Sequence, residues 1–287
     1  MSSLKEIKQR IQSVSSTRKI TSAMKMVASA KLRKSQRLIE NFLPYQNKLN
    51  NLLANFITSD TDCDSPFAAD RKTEKVALVL ISSNSSLCGA FNSNVIKLSN
   101  DVLNEYSALG KENVKIYPVG KKVSRAMIKS GYKTEGVFDD LSDKPTYEAA
   151  SALSEKLMND FIDKKIDRVE MVYYHFKSKS AQSLTRSTLL PVALQGGEQT
   201  KELYYIVEPD RETILQELIP KVIKLTLYAA LLDSNTSENA ARTLAMQIAT
   251  DNANELLQDL TLQYNKSRQQ AITAELLDIT GASFGMK

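Results

Sequence analysis

Glycine is missing from two long stretches of this sequence. Residues 1–56 contain no glycine and a single proline, Pro44, and residues 198–280 contain no glycine and prolines only at Pro209 and Pro220. Because glycine and proline are the residues that most often end a helix, both stretches are predicted to be helical. Either helix would be roughly 80–100 Å long, whereas a compact domain of this size is about 50 Å across. We therefore expect other chains to cover these helices.

Other absences exclude whole classes of protein. The chain has no tryptophan, one histidine and two cysteines, Cys63 and Cys88, whose spacing fits neither a zinc site nor a disulfide framework. No apolar run approaches the roughly 20 residues that span a bilayer. A hydrophobic fraction of 42% and a charged fraction of 25% are typical of a folded chain rather than a disordered one. We expect a folded protein without a transmembrane segment of its own.

The basic charge is concentrated at one end of the chain. Residues 1–48 hold eleven basic and two acidic side chains, a balance of +9, which leaves −4 for the rest of a chain whose net charge is +5. Such a helix is expected to lie against an anionic surface. A targeting peptide, a nucleic-acid-binding helix and a solvated helix face are alternatives. The length of the segment and its preference for lysine over arginine argue against the targeting peptide.

The first helix carries a coiled-coil repeat. Apolar residues recur at alternating spacings of three and four, at Leu4, Ile7, Ile11, Val14, Ala28, Leu32, Ile39, Phe42, Leu49, Leu53 and Phe56. In mid-helix the same register meets Arg18, Thr21 and Lys25, and a neighbouring apolar stripe begins at Ile20, Met24 and Val27. We expect the packed face to shift there because the helix changes its neighbour. A stutter in the repeat is the alternative.

The middle of the chain alternates between strand and helix patterns. Strands are predicted at 75–82, 114–119, 168–176 and 182–190, a short strand is possible at 135–138, and helices are predicted at 94–108, 121–129 and 147–164. This order favours a Rossmann-like α/β module with an open, mostly parallel sheet. The predicted domains are an N-terminal coiled-coil helix at 1–58, the α/β module at 74–200 and a C-terminal coiled-coil helix at 208–287.

The simplest packing of the terminal helices is an antiparallel two-helix coiled coil. Small residues favour close approach of the second helix to the first, at Ala240, Ala241, Ala245, Ala249 and Ala253. Pro44 is expected to bend the first helix, and Pro220 to separate a short lead helix from the long C-terminal one.

No catalytic constellation emerges from the residues. The segment SSNSSLCGAFN after the first strand lacks the glycine fingerprint of dinucleotide-binding folds, and the lysines that follow Gly120 do not complete a P-loop. His175 is expected to be a half-buried strand residue, because the sequence indicates no partner for a base. The acidic cluster of Asp139, Asp140 and Asp143 is expected to be a solvated turn. Cys88 is expected to be a small buried residue. We predict neither metal nor cofactor.

Three segments carry a resemblance to a known family. They are IKQRIQSVSSTRKITSAMKMVASAKLRKSQ at 7–36, SENAARTLAM at 237–246 with ATDNANELL after it, and ITAELLDITGAS at 272–283. In this order, over essentially the whole chain, the sequence resembles the γ subunit of the F-type rotary ATP synthase. The last segment matches the family pattern of I-T-x-E, a following acid and G-A. The chain departs from the family at Asn84, Ser85 and Ser86, where relatives have an Asp, a basic residue and a Gly.

The resemblance implies a mechanical, non-catalytic subunit. It implies a central rotor shaft inside a ring of three α and three β subunits, with a foot that binds the ε subunit and the membrane c-ring. Proton flow would turn the shaft, and the shaft would drive the catalytic sites on β. It further implies a peripheral location on the cytoplasmic face of the bacterial inner membrane, and no cofactor or nucleic acid as a partner.

The resemblance also implies contact residues. Met24, Lys25, Arg242, Thr273 and Glu275 match positions that contact the α/β ring, and Tyr205 and Glu208 match the segment that contacts the membrane ring. Val207 stands where many relatives have an aromatic residue. Residues 282–286 would end in an apolar collar.

Two functions of other classes compete with this interpretation. A basic coiled-coil protein that binds nucleic acid would use the +9 helix on phosphates and would bind with strong salt dependence. An enzyme built on the α/β module would be stabilised by its small-molecule ligand. The missing glycine fingerprints disfavour the enzyme, and the lack of aromatic residues among the basic ones disfavours the nucleic-acid-binding protein.

Overall fold

The computed structural model describes residues 4–56, 65–69, 71–192, 208 and 210–284. In chain order the elements are α1 (Leu4–Phe56), β1 (Val76–Ile81), α2 (Phe91–Glu105), two short 3-10 turns (Ser107–Leu109 and Lys111–Asn113), β2 (Val114–Val119), α3 (Lys121–Lys129), α4 (Asp139–Asp143), α5 (Tyr147–Ile162), β3 (Arg168–Phe176), β4 (Gln182–Leu190) and α6 (Arg211–Phe284). None of the described helices contains a stretch long and apolar enough to cross a membrane.

The chain divides into two compact units, and the division falls within both long helices. The helix unit consists of the chain through Ala28 and from Arg242 onward, and the sheet unit runs from Ser29 to Ala241. Each unit therefore contains part of α1 and part of α6.

The sheet unit is built on four strands in the order β2-β1-β3-β4. β1 pairs in parallel with both of its neighbours, Val76 lying opposite Val114 on one side and Arg168 on the other. β4 runs antiparallel to β3 at the edge. All six residues of β1 are buried, as expected for a central strand covered on both faces. The predicted mostly parallel α/β sheet is confirmed.

Two apolar layers enclose the sheet because successive strand residues point to opposite faces. On one face Ala77, Val79 and Ile81 of β1 belong to a core shared with α1, α5 and α6, at Leu49, Leu53, Leu153, Leu157, Leu225 and Leu227. On the other face Val76, Leu78 and Leu80 pack with α2 and α3, at Phe91, Val95, Val102, Val123 and Met127. The two terminal helices are thus part of the fold of the sheet unit.

The possible short strand at 135–138 is wrong. Only an isolated parallel bridge forms in this region, between Thr134 and Ile116. Gly136 has φ +96° and Val137 is 83% exposed, so the segment has neither the extended backbone nor the buried face of a strand. The acidic segment that follows, predicted as a turn, forms the five-residue helix α4 with Leu141 buried.

The predicted break at Pro220 is also wrong, since α6 runs without interruption through it. A proline inside a helix costs about 3 kcal/mol. Burial of a Val, Leu or Ile side chain contributes about 1.5–3 kcal/mol each. Four such residues around Pro220 are buried: Leu215, Ile219, Val222 and Ile223. Their packing outweighs the local penalty. Pro44 likewise lies inside the continuous helix α1.

In the helix unit α1 and α6 run antiparallel, as predicted. Hydrogen bonds join them, among them those from Arg18 Nη1 to Asn254 Oδ1 at 3.4 Å, from Thr250 Oγ1 to Thr21 Oγ1 at 2.9 Å and from Lys25 Nζ to Gln247 Oε1 at 2.9 Å. The partner number falls on α6 as the residue number rises on α1, which defines the antiparallel direction. Of the five alanines, Ala253 is buried in this unit and Ala240 in the sheet unit.

The face of α1 that packs on α6 does not shift in mid-helix, and a change of neighbour at Ile20, Met24 and Val27 stays a prediction. Ile20 and Val27, which would form the new stripe, are each 59% exposed. Thr21 is buried and lies in the same register as the buried Ile7 and Ala28. The original face therefore continues, and polar residues occupy it where α6 offers them hydrogen-bonding partners. We call the six bonded residues the polar seam: Arg18, Thr21, Lys25, Gln247, Thr250 and Asn254.

Candidate functional site

Three of the predicted contact residues lie in the helix unit. Met24 and Lys25 are half-buried on α1, and Arg242 is half-buried on α6. Lys25 Nζ donates to Gln247, whose own amide donates to the two carboxylate oxygens of Asp251 at 2.9 and 2.8 Å. The Lys25 ammonium group is therefore held across the seam and connected to an acidic group on α6.

The other predicted contact residues do not join them. Thr273 and Glu275 are exposed on α6, and Thr273 Oγ1 donates to the backbone of Gln269 at 2.9 Å. Thr273 lies about 39 Å along the helix from Gln247, the partner of Lys25, at 1.5 Å per residue. Glu208 is exposed at a bend before α6. Tyr205 and Val207 lie outside the described residues, as do residues 285–287. The predicted residues are thus spread along the chain and form no single pocket.

The sequence predicted that other chains cover the long helices, and the helix unit has outward-facing apolar residues that such chains could cover. These residues are between 43% and 69% exposed, at Ile20, Met26, Val27, Leu244, Ile248, Leu256, Leu262, Ile272, Leu276, Leu277 and Ile279. We call them the outer apolar rows. Single exposed apolar residues are ordinary, but rows of them on paired helices indicate a partner that covers them. In the sequence, Ile20 and Val27 already formed an apolar stripe beside the coiled-coil register of the first helix.

A groove of about 400 Å³ runs beside the polar seam. Its walls come from both helices of the unit, at Arg18, Lys19, Ser22, Ala23, Met26, Thr250 and Asn254. Two cationic side chains and one exposed methionine give this groove the chemistry to receive an acidic segment with an apolar neighbour.

The carboxyl edge of the sheet, where α/β proteins commonly bind ligands, is closed by its own hydrogen bonds. Asn84 Nδ2 donates to the carbonyl of Asp139 at 2.8 Å, and Asn84 Oδ1 accepts from the Lys121 amide at 3.0 Å. Ser82 Oγ accepts from the Val123 amide at 3.0 Å. The segment that departs from the family pattern thus has a structural role here. Cys88 is buried, as predicted.

A buried ionic cluster connects β3 to β4 and α2. Glu170 accepts from Arg186 Nε at 2.8 Å and from the Tyr106 hydroxyl at 2.8 Å, and Arg186 Nη1 donates to Glu105 at 2.6 Å. Burial, and then the Glu170 carboxylate, raise the pKa of Tyr106. Burial disfavours the charge on Arg186, but its bonds to Glu170 and Glu105 raise its pKa overall. These groups satisfy one another and serve the fold.

His175 is half-buried on β3, as predicted, but it has a partner that the sequence did not indicate. Its Nδ1 atom lies 2.6 Å from Oδ2 of Asp233 on α6. Burial raises the pKa of Asp233, while the neighbouring imidazole acts in the opposite direction. Among the described residues no group of three or more His, Cys, Asp or Glu side chains is placed to hold a metal ion.

The fold and the surface define a class of protein. A small α/β sheet lies in sequence between two long helices, the helices pair antiparallel, and outer apolar rows follow the pair. This is the architecture of a subunit that other chains cover.

Comparison with known proteins identifies the family. A family model described as ATP synthase matches residues 3–284. The ATP synthase gamma chain of Phocaeicola vulgatus is 55% identical over 287 residues, covering 99% of both chains. The Bacteroides fragilis gamma chain is 56% identical over 288 residues, with the same coverage. The chain belongs to the ATP synthase gamma chain family. These comparisons give no support to a nucleic-acid-binding protein.

Solved structures agree in fold. The central stalk of the Tetrahymena thermophila mitochondrial ATP synthase matches 80% of this chain and 99% of its own, with a TM-score of 0.60 and 25% identity. A chain of the Euglena gracilis mitochondrial ATP synthase matches 99% of this chain and 94% of its own, with a TM-score of 0.67 and 22% identity. The fold is therefore that of central-stalk gamma subunits.

Proposed function

We propose that this chain is the rotor shaft of an F-type ATP synthase and that it transmits rotation of a membrane c-ring to a ring of α and β subunits. In this way proton flow is coupled to ATP synthesis. The observation that supports the proposal most directly is the pair of outer apolar rows, since such rows need a covering partner. The shaft itself is non-catalytic, and the ATP chemistry belongs to the β subunits.

The shaft acts through unequal contacts with equivalent partners. A contact shifts a conformational equilibrium only by the difference in its free energy between the two states. The helix unit has chemically different faces, with the outer apolar rows, the groove with Arg18 and Lys19, and the half-buried Arg242. Each β subunit in turn would meet a different face as the shaft rotates, and its catalytic site would open or close accordingly.

We propose roles for the individual contact residues. Met24, Lys25 and Arg242 contact the α/β ring, and the exposed Thr273 and Glu275 contact it further along α6. Tyr205 and Glu208 contact the membrane ring. The working division of the chain is residues 1–58 and 208–287 as shaft helices and residues 74–200 as the module that carries the foot. The foot also binds the ε subunit, and the complex lies on the cytoplasmic face of the bacterial inner membrane.

Assembly with α and β subunits tests the proposal. The full-length chain, coexpressed with the α and β subunits of a close relative, should copurify with them and give an ATPase that the chain alone lacks. The proposal fails if α and β assemble into an equally active ATPase without retaining this chain.

A pair of variants tests the role of the outer apolar rows. Val27→Glu introduces a charge into a row, so we expect weaker copurification with α and β. Val137→Glu is the matched control, because Val137 is an exposed valine of the sheet unit, and its copurification should equal that of the wild type. Equal effects of the two variants would contradict the assigned surface.

A further inference from the structure

The helix α3 carries all of its charge on one side. Its nine residues include no acid and four basic residues: Lys121, Lys122, Arg125 and Lys129. At about 100° per residue, these four positions fall within an arc of about 100° around the helix. Val123 and Met127, which are buried against the sheet, lie on the opposite side. We call the four basic residues the basic face of α3.

The basic face belongs to the surface of the sheet unit. α3 lies in the apolar layer that it shares with α2, whereas α1 and α5 belong to the layer on the other side of the sheet. Three of the four basic residues are exposed and Lys122 is half-buried. The basic face is therefore in a different unit from the polar seam and the outer apolar rows.

The four cations form no ion pair with the described residues. No described carboxylate oxygen lies within 4.0 Å of their side-chain nitrogens. Other lysines of this unit do find such a partner, as Lys224 does in Glu155 at 2.6 Å. Asn84 connects the start of α3 to the acidic helix α4, but it does so through the backbone of Lys121 and Asp139. The charge of the basic face is thus left for another molecule.

Two of these charges oppose the electrostatics of their own helix. The first turn of a helix has a partial positive charge, which favours acidic side chains and disfavours basic ones. α5 follows this rule, with Thr146 as its cap and Glu148 in its first turn. α3 instead begins with Lys121 and Lys122 and has no acidic residue in its first turn. The stability of α3 therefore does not explain these lysines.

The backbone amides at the start of α3 are already bonded. The Lys121 amide donates to Asn84 Oδ1 at 3.0 Å, and the Lys122 amide donates to the carbonyl of Ser83 at 3.3 Å. The Val123 amide is bonded as well. A phosphate site at a helix start uses such amides, so a small anion finds no such site here. The cationic side chains extend about 12 Å along the helix, which suits a row of anionic groups.

One exposed apolar residue borders the basic face. Ile128 is 57% exposed and lies two helical turns after Lys121, on nearly the same side. α3 has no aromatic residue on which nucleic-acid bases could stack. A single isoleucine is also far less apolar surface than a helix needs to enter a membrane interface. A row of carboxylates beside one apolar side chain matches the face better than either alternative.

We propose that the basic face of α3 is a docking surface for an acidic segment of a partner polypeptide, with Ile128 as its apolar contact. Complementary charges of this kind raise the rate of encounter and select the partner, and salt screens them. The surface is separate from the contacts of the shaft helices with α and β, so its partner is a different segment from those that cover the helix unit.

Binding of a designed peptide to the full-length chain tests this surface. The probe is a synthetic helical peptide with glutamates on one face and one leucine among them, and its glutamine counterpart is the negative control. At low ionic strength the glutamate peptide should protect Lys121, Lys122 and Lys129 from acetylation, as measured by mass spectrometry, and added salt should remove the protection. Protection confined to the lysines of α1, or equal protection by the two peptides, would overturn the proposal.

A triple variant of α3 measures the contribution of the face. It combines Lys121→Gln, Lys122→Gln and Lys129→Gln. This variant should bind the glutamate peptide about tenfold more weakly than the wild type, as expected for the loss of three exposed ion pairs. The matched control replaces three exposed lysines from the two ends of the sheet: Lys75→Gln, Lys177→Gln and Lys179→Gln. The control should bind as the wild type does, and equal losses in the two variants would contradict the assigned surface.

Stability and two other anionic probes complete the test. Glutamine and lysine have similar helix propensities, and the α3 variant loses two cations from the positive end of the helix dipole. Its thermal midpoint should therefore equal or exceed that of the wild type, and a lower midpoint would mean that the lysines serve the fold. The proposal also fails if the variant keeps the peptide but loses duplex DNA, or vesicles of equal parts phosphatidylglycerol and phosphatidylcholine. No partner chain is needed, so the result is independent of the proposed rotor function.

Discussion

At the scale of the residue, the backbone at Gly120 lies unusually close to Ser82. Gly120 follows β2 with φ +99°, a conformation that favours glycine. A Cβ atom at this position would lie 2.9 Å from both the carbonyl carbon and Oγ of Ser82, and closer still to the carbonyl oxygen. Two of these three atoms belong to the backbone of Ser82, so they cannot move aside as the end of a flexible side chain could. The ends of β1 and β2 therefore approach this closely only if residue 120 has no side chain.

Gly120→Ala is therefore expected to lower the free energy of unfolding by at least about 2 kcal/mol, from backbone strain and the clash together. Gly110→Ala is the matched control, because Gly110 also has positive φ, at +82°, but nothing lies within 4 Å of its Cβ position. The control should lose about 1 kcal/mol. Urea unfolding followed by circular dichroism measures both, and equal losses would contradict a role for the close approach.

Glu170 is a buried carboxylate of the sheet unit that is held by two arginines. It is 3% exposed and pairs with Arg186 at 2.8 Å and with Arg168 at 3.2 Å. Glu170→Gln removes the negative charge and leaves the partly buried Arg186 without its main counter-ion. We expect a loss of about 2–3 kcal/mol, below the full range for buried pairs because Arg186 reaches solvent.

The control for Glu170→Gln is an exposed ion pair. Asp163 and Lys165 are 2.8 Å apart, with both side chains more than half exposed. Asp163→Asn should leave the unfolding midpoint near that of the wild type, since solvent screens such pairs. A Glu170→Gln variant as stable as this control would mean that the cluster contributes nothing to stability.

At the scale of the element, the polar seam sets the register between α1 and α6. Apolar residues alone would tolerate several alignments of two long helices, whereas a polar residue at the seam needs one particular partner. Arg18, Thr21 and Lys25 find Asn254, Thr250 and Gln247 respectively, at consistent antiparallel spacing. The seam thus exchanges some apolar burial for a unique alignment.

A double-mutant cycle on Thr21 and Thr250 tests this function of the seam. Thr250→Val removes the hydroxyl that lies 2.9 Å from buried Thr21 Oγ1 and should cost about 1 kcal/mol. Replacing both residues by valine removes both polar groups and should restore the lost stability, because the site becomes apolar with similar shape. Hydrogen exchange of α1 reports the local stability, and strictly additive losses would contradict the pairing.

The sequence was most informative where local pattern and burial agree. The fully buried VALVLI of β1 and the alternating helices around it were predicted within a few residues. Prediction failed where tertiary burial outweighs a local rule. Pro220 remains helical because Ile219 and Ile223 pack in the core, and Thr21 is buried because α6 supplies Thr250. The core that receives Ile219 and Ile223 is formed by distant parts of the chain, and Thr250 is equally distant from Thr21. Local sequence patterns therefore cannot identify either contact.

The candidate site shows the same contrast between local patterns, which the sequence predicts, and long-range contacts, which it does not. The contact residues came from family resemblance, which names positions but not surroundings, and the structure adds the Lys25–Gln247 bond across 222 residues. His175 was predicted as half-buried because its strand pattern is local. Its partner Asp233 was not predicted, because a pairing across 58 residues depends on how α6 lies on the sheet.

At the scale of the whole molecule, charge and apolar surface are divided between different parts of the chain. The first 48 residues carry a balance of +9 and the rest −4. The outer apolar rows extend along both helices of the helix unit. A covering partner should therefore combine apolar contacts with acidic groups. Salt should weaken only the electrostatic contribution to its affinity and leave the apolar contribution in place.

Arg242→Ala tests whether the helix unit works through its partners. Arg242 is half-exposed in the helix unit, and Arg125 is exposed on α3 in the sheet unit, which makes Arg125→Ala the matched control. Neither change removes a buried apolar group, so the thermal midpoint of the isolated chain should move by no more than about 2–4 °C.

In the complex with α and β, Arg242→Ala should lower ATP hydrolysis by about tenfold, equivalent to ~1.4 kcal/mol of transition-state stabilisation, and Arg125→Ala should not. The reason is that a side chain acting on a partner affects the catalytic cycle of that partner without holding its own fold. If Arg242→Ala instead destabilises the isolated chain as much as it slows hydrolysis, Arg242 serves the helix pair itself and the contact with the ring must be sought elsewhere on the unit.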